Sequence, residues 1–202
     1  MLTTILLSTA LAAPQDYAFL ANQGLLYVKV YKADTIAAAA AHDHAIQAVG
    51  WSGKATWDIE NISSCSVSIT VPVNNLYVDK TETRRIAGLE GEVSDSQRKE
   101  IQGNMLGESQ LNADKYPLIT FKSTGCEQEG ERIFLKGDFT LRGKTNSVKV
   151  PIDVSTEDGL SLKGMFPIKA TQYGFEPYSA LFGAVANQDG MEIHFNLEAK
   201  GH

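Results

Sequence analysis

Residues 64–73 read Ser-Cys-Ser-Val-Ser-Ile-Thr-Val-Pro-Val, a near-strict alternation of polar and apolar side chains. Successive side chains of a β-strand point to opposite faces, so this spacing predicts a strand with one buried and one solvated face. The same period of two recurs about eight times after residue 24. The clearest further runs lie at residues 133–142, 148–154, 160–168 and 191–199. We therefore predict an all-β fold.

Turn-forming residues separate the predicted strands, at residues 125–130, 143–146, 157–159 and 187–190. Connections this short join strands that are antiparallel neighbours. About eight such strands can stack as a sandwich or close into a barrel, and the residue pattern leaves both arrangements open.

The stretch from residue 74 to residue 115 interrupts the alternation. Ser94-Asp95-Ser96-Gln97 has the form of a helix capping box, and Ile101 and Met105 follow at helical spacing. This pattern predicts one short inserted helix at about Asp95 to Leu106. Such a helix can close one end of a barrel, or it can pack on the outside.

The composition is typical of a soluble protein with a single core. The 202 residues are 43% hydrophobic and 21% charged, and the formal net charge is −6. Because acidic residues outnumber basic ones, we expect no nucleic-acid partner. After the N-terminus, no stretch approaches the roughly 20 apolar residues of a transmembrane helix.

Residues 1–13 predict a signal peptide, since a short apolar stretch ends in Ala10-Leu11-Ala12-Ala13. We therefore expect an exported protein, periplasmic or secreted. The alternative is a buried N-terminal helix or strand.

His42-Asp43-His44 is the one cluster with ligand-like spacing. On an extended strand both imidazoles face the same side and could reach one metal ion or one ligand head group. A metal site needs a third ligand, which the sequence does not identify. Arg84 and Arg85 could bind an anionic head group, although a solvated loop is the commoner role of such a charged stretch.

No nucleophile elbow, phosphate-binding loop, dinucleotide fingerprint or HExxH zinc motif is present. The absence of these motifs favours a protein without catalytic residues, resident metal or cofactor. Two alternatives are a metal-dependent periplasmic enzyme that uses His42 and His44, and a structural or stress protein whose barrel is fully packed. The oligomeric state is not predicted.

Cys65 and Cys126 are the only two cysteines. Cys65 opens one predicted strand, and Cys126 follows the strand that ends near Ser123. If these strands are antiparallel neighbours, the two sulfurs lie close together, and an oxidising compartment would pair them. The alternative is a small buried Cys65 and a Cys126 in a loop.

Four stretches of the sequence resemble the YceI-like family. Residues 105–123 contain Leu-x-x-x-x-Tyr-Pro-x-Ile-x-Phe-x-Ser, and residues 135–145 look like the family's next hairpin. Residues 173–175 and 189–193 are similar to its Phe-Gly turn and last strand. The resemblance covers Gly24 to Lys200 and implies a lipocalin-like antiparallel barrel, export to the periplasm, and a polyisoprenoid chain in the lumen.

The expected ligand is therefore an isoprenoid lipid or quinone, carried or stored in an apolar lumen. Gly137 and Gly164, in phase with apolar neighbours, predict room for it. The candidate lining residues keep the phase of the apolar face and are Trp57, Ile69, Val71, Ile119, Phe121, Phe139, Leu141, Phe166, Ile168, Ile193 and Phe195.

Overall fold

The computed structural model describes residues 14–36 and 41–200, so the predicted signal peptide lies outside the described residues. The strands are β1 (Gln15–Leu20), β2 (Leu25–Lys32), β3 (His44–Ala48), β4 (Ser52–Trp57), β5 (Ser66–Pro72), β6 (Leu76–Val78), β7 (Leu118–Glu129), β8 (Arg132–Leu141), β9 (Lys144–Ser155), β10 (Leu160–Lys169), β11 (Ser179–Ala180) and β12 (Val185–Ala199). Two α-helices, α1 (Thr81–Ile86) and α2 (Asp95–Leu106), lie between β6 and β7.

The strands form one curled antiparallel sheet in the order β1-β4-β5-β7-β8-β9-β10-β12-β2-β3-β6, with β11 paired to β12. This arrangement confirms the predicted all-β, barrel-like fold. The described residues form twelve strands rather than the expected eight or so, because β1, β3, β6 and β11 were not predicted; β3, β6 and β11 have five residues or fewer, too few for a clear period of two. β1 precedes the predicted domain start at Gly24 and pairs with β4.

The core fills the concave face of the sheet. On β5, Val67, Ile69 and Val71 are buried, while Ser66 and Ser68 between them are exposed. Each fully buried aliphatic side chain contributes roughly 1.5–3 kcal/mol relative to an exposed one. The alternation that predicted this strand therefore also defines the inner face.

Irregular strands pass through two predicted turns: of residues 125–130 only Gly130 lies in a turn, and the turn predicted at residues 187–190 is wrong. β7 continues to Glu129, since the register between β7 and β8 shifts between Ser123 and Gly125. β12 likewise includes residues 187–190, and its register with β2 shifts between Asn187 and Met191. A bulge inserts a residue that breaks the alternation without ending the strand.

Cys65 and Cys126 form a disulfide bond, as the strand topology predicts. β5 and β7 are antiparallel neighbours, and the two Cα atoms are 5.9 Å apart. Cys126 lies within β7 rather than after it. The bond joins residues that are 61 apart in sequence.

Helix α2 begins and ends where the sequence predicts. The Oγ of Ser94 accepts a hydrogen bond from the Gln97 amide at 3.3 Å, and the Gln97 side chain accepts one from the Ser94 amide at 3.0 Å. The Gln102 side chain donates to the Leu76 carbonyl at 2.7 Å and accepts from the Val78 amide at 3.0 Å. These bonds fix α2 to the outer edge of β6.

Phenylalanine rings occupy the room beside two inward glycines. A Cβ at Gly164 would lie 2.7 Å from Phe195 Cζ on the neighbouring strand, and a Cβ at Gly137 would clash with the Phe121 ring. The expectation that these glycines leave room for a ligand is therefore corrected. They let aromatic rings of adjacent strands lie close to the barrel wall.

Candidate functional site

Two cavities lie against the inner face of the barrel. The first, of about 270 Å³, is lined by His42 and His44 together with residues of β2, α2 and β12, and we call it the histidine cavity. The second, of about 90 Å³, is lined by Phe121, Phe139 and Phe166 among other apolar residues, and we call it the phenylalanine cavity.

The two cavities are consecutive along β2 and β12. On β2, Val30 lines the histidine cavity, and Val28, the next inward-facing residue, lines the phenylalanine cavity. On β12 the same step leads from Met191 to Ile193. Because alternate residues of a strand face the same side about 7 Å apart, the cavities lie end to end on one inner surface.

Most of the predicted lining residues surround the phenylalanine cavity. They are Ile69, Val71, Ile119, Phe121, Phe139, Phe166, Ile193 and Phe195. The rings of Phe139 and Phe166 meet edge to face, with centroids 5.6 Å apart. Trp57, Leu141 and Ile168 are buried in the core but line neither of these two cavities.

Helix α2 forms one wall of the histidine cavity. Gln97, Ile101 and Asn104 lie on one helical face at spacings of three and four residues, and all three line the cavity. Asn104 also donates a hydrogen bond to the Tyr178 hydroxyl across the cavity wall, at 3.2 Å. The predicted helix therefore encloses a cavity rather than packing on the outside alone.

A network centred on Asp79 holds His44 at one end of the histidine cavity. His44 is the first residue of β3, and its Nδ1 lies 2.6 Å from the Asp79 Oδ2. Asp79 directly follows β6 and has a positive φ of 49°, a conformation that aspartate tolerates better than most residues. Its carboxylate accepts from the Ala45 amide at 2.9 Å, and its own amide donates to the Ala45 carbonyl at 2.7 Å. Backbone and side chain together therefore place the carboxylate against β3.

Arg84 neutralises Asp79 inside the protein. Its guanidinium lies 2.9 Å from the carboxylate, and the side chains of Arg84 and Asp79 are 7% and 0% exposed. Arg84 also donates to the backbone carbonyls of Asp43, Glu90 and Gly91 at 2.8, 2.6 and 3.3 Å. The guanidinium is thus fully engaged within the protein and does not line either cavity.

Arg85 lies on the exposed side of α1, where it forms an ion pair with Glu82 at 2.6 Å. Of the four residues that the sequence predicts for a head group, the structure brings His42 and His44 to a cavity. It brings neither Arg84 nor Arg85 there.

His42 lies beside His44 with its polar atom unused. The two ring centroids are 4.6 Å apart, and the His42 Nε2 is buried without a hydrogen-bond partner among the described residues. Burial, reinforced by the neighbouring His44, lowers the pKa of His42. Burial alone would raise the pKa of Asp79, but hydrogen bonds from His44 and the Ala45 amide outweigh it and lower that pKa. The cluster therefore favours a neutral His42 next to an ionised Asp79.

Two kinds of chemistry fit this cluster. One ligand atom from each of His42, His44 and Asp79 lies within 4.8 Å of the others, and two imidazoles with a carboxylate can hold a transition metal. The alternative is hydrogen bonding, in which the unpartnered His42 Nε2 meets a polar atom of a ligand. Asp79 then orients His44, as carboxylates commonly orient imidazoles.

No pattern in the sequence points to Asp79 as the partner of His44. The two residues are 35 apart in sequence, and β6 before Asp79 has only three residues, too few for a visible period. Leu26, Val28 and Leu76 were also missed as lining residues of the phenylalanine cavity. A weak alternation at Leu26 to Val30 was the available signal for two of them.

Among the described residues, neither α-helix combines the length and apolar character needed to cross a membrane.

Curated relatives match parts of the chain. Protein YceI of Escherichia coli O6:H1 is 29% identical over 96 residues, which is 48% of this chain and 41% of that protein. A UPF0312 protein of Photorhabdus laumondii is 26% identical over 124 residues, 61% of this chain and 52% of that protein. The chain spans about half the length of the curated relatives it matches.

Solved structures share the fold. BcnA of Burkholderia cenocepacia has a TM-score of 0.62 at 19% identity, covering 85% of this chain and 94% of its own. A polyisoprenoid binding domain from Saccharophagus degradans has a TM-score of 0.56 at 12% identity, covering 91% of this chain and 98% of its own. The family model of the YceI-like domain matches residues 31–199. This chain therefore belongs to the YceI-like family.

Proposed function

We propose that this protein binds one long apolar ligand, an isoprenoid lipid or a quinone with a prenyl tail, and carries or stores it without altering it chemically. The observation that supports this most strongly is the phenylalanine cavity. Apart from Thr120, its lining side chains are all aliphatic or aromatic. A cavity with so apolar a lining favours hydrocarbon over water.

We propose that the tail lies in the phenylalanine cavity and the head group in the histidine cavity, because the two cavities follow one another along β2 and β12. The volume of the histidine cavity, about 270 Å³, is just below the usual range of roughly 300–1,000 Å³ for small-molecule sites, and the phenylalanine cavity extends it. Burial of each five-carbon prenyl unit contributes roughly 4 kcal/mol before ordering costs. A few units therefore suffice for stable retention.

Two further observations support the proposal. The domain from Saccharophagus degradans, which shares the fold, is described as polyisoprenoid binding. The disulfide between Cys65 and Cys126 fits an exported protein, since such bonds persist in oxidising compartments. We accordingly propose a periplasmic or secreted carrier that needs no catalytic residue.

Organic extraction of the purified full chain, followed by mass spectrometry of the extract, tests the proposal. We expect one prenyl lipid or prenylquinone per chain. A protein that yields none, and that takes up none when incubated with ubiquinone or a polyprenol, contradicts it and supports a packed barrel.

A second candidate function is metal binding, as in a metal-dependent enzyme, and the proximity of His42, His44 and Asp79 favours it. Both Asp79 oxygens already accept hydrogen bonds, and the positive charge of Arg84 opposes a further cation. Elemental analysis of the same sample separates the two candidates. Stoichiometric zinc or copper that is lost in His42→Gln would favour the metal site.

A further inference from the structure

We infer that the histidine cavity selects an uncharged oxygen-bearing head group, a hydroxyl or a carbonyl, and rejects the phosphate or diphosphate ester of the same prenyl chain. The inference rests on the proposed function and concerns the class of head group. It is carried by the charges that line the cavity and by the unpartnered nitrogen of His42.

No cation among the described residues is placed to meet a phosphate. The lining of the histidine cavity contains neither Lys nor Arg, and its one acidic residue is Glu100 on α2. The nearby Arg84 is held by Asp79 and three backbone carbonyls. Arg98 is held by the Asp79 carbonyl at 2.9 Å and by Asp95 at 2.6 Å.

The charged groups at this end of the cavity cancel one another. Asp79 and Arg84 form a buried pair, so the carboxylate and the guanidinium behind His44 neutralise each other. A phosphate ester would enter with its negative charge unpaired and would face Glu100. Moving such a charge out of water without a partner is strongly unfavourable.

An uncharged head group avoids that penalty and satisfies His42. A neutral imidazole nitrogen can donate or accept a hydrogen bond according to its tautomer, so it can serve a carbonyl as well as a hydroxyl. The Nε2 of His42 is buried and unpartnered, and the ring lines the cavity. A ligand oxygen at this position would supply the missing bond.

The test compares two ligands with identical tails, geranylgeraniol and geranylgeranyl phosphate, by native mass spectrometry and tryptophan fluorescence on the full chain at neutral pH. We expect the alcohol to bind at least about tenfold more tightly, equivalent to about 1.4 kcal/mol. Equal or tighter binding of the phosphate overturns the inference while leaving the proposed function intact. Failure of both ligands to bind contradicts the proposed function, and the inference falls with it.

Variants identify the residues responsible. Glu100→Lys should reduce the ratio of alcohol affinity to phosphate affinity at least about tenfold, because it places a cation at the cavity wall. Glu92→Lys, an equal change of charge at an exposed residue outside the cavity, should leave the preference unchanged. His42→Leu should weaken alcohol binding while His42→Gln retains it. A preference unaffected by both Glu100→Lys and His42→Leu would overturn the assignment to this site.

Discussion

The Nδ1 of His44 lies 2.6 Å from the Oδ2 of Asp79, and the Asp79 side chain is fully buried. The Arg84 guanidinium donates a hydrogen bond to the other oxygen of this carboxylate, Oδ1. Three elements, β3, the end of β6 and α1, therefore meet at one buried charge.

Replacing Asp79 with Asn should destabilise the protein by about 3–5 kcal/mol, because Arg84 would remain buried without its counter-charge. Urea unfolding measures the change. Glu82→Gln, which removes an exposed ion pair with Arg85 on the same helix, is the control and should have no measurable effect. Equal stabilities for Asp79→Asn and wild type would show that the buried network does not stabilise this end of the barrel.

The free energy of unfolding should fall as the pH drops below about 6.5, the ordinary pKa of a histidine in the unfolded chain. The pKa of His42 is lowered in the folded protein by burial and by His44, with Arg84 contributing and Asp79 and Asp43 opposing. The unfolded chain therefore takes up the proton at a higher pH than the folded chain does. Stability from this group is present above the unfolded pKa and is lost as the pH falls through the folded pKa.

The variant His42→Gln removes the titrating group and should flatten that slope. Urea unfolding at a series of pH values gives the measurement for both proteins. If the variant keeps the full slope of the wild type, another group is responsible for the acid sensitivity.

A charge introduced into the phenylalanine cavity should abolish ligand retention. Phe139→Asp and Phe166→Glu each place an unpaired carboxylate among hydrocarbon side chains, and we expect a loss of about 3 kcal/mol or more of stability. The control is Met165→Glu, since Met165 neighbours Phe166 on the same strand but is 40% exposed on the opposite face. Extraction and urea unfolding give ligand content and stability. A folded Phe166→Glu variant with its full ligand complement would place the ligand elsewhere.

Removing the disulfide with the double variant Cys65→Ser, Cys126→Ser should cost about 4 kcal/mol of stability. The bond closes a loop between residues 61 apart. The unfolded variant lacks this loop and therefore has a higher conformational entropy than the unfolded, disulfide-bonded wild type, which accounts for most of the loss. Urea unfolding of the oxidised wild type and the variant gives the difference. Thiol titration of unfolded, unreduced protein provides the independent check, and two free thiols per chain would contradict the bond.

The sequence could predict features that depend on local spacing. The alternation around Val67 and Ile69 predicted a strand and its buried face, and Ser94 with Gln97 predicted the start of α2. The disulfide was predicted on the condition that the strands of Cys65 and Cys126 are antiparallel neighbours, and β5 and β7 meet that condition.

Features that depend on tertiary contacts could not be predicted this way. A glycine in a bulge, such as Gly125, has the same sequence signal as a glycine in a turn. Asp79 and His44 come from distant parts of the chain, and the sequence around either residue does not indicate that it contacts the other. The role of Gly164 depends on Phe195, which comes from another strand.

The bonds that Gln102 makes with Leu76 and Val78 have a consequence for self-association. β6 ends the strand order of the sheet, and an unpaired strand edge can recruit a strand of another molecule. The side-chain amide of Gln102 occupies this edge as a short strand would, with one donated and one accepted hydrogen bond. Because α2 also walls the histidine cavity, any movement of α2 that widened the cavity would uncover the edge of β6. Under the proposed function, ligand exchange and resistance to polymerisation would be coupled through α2.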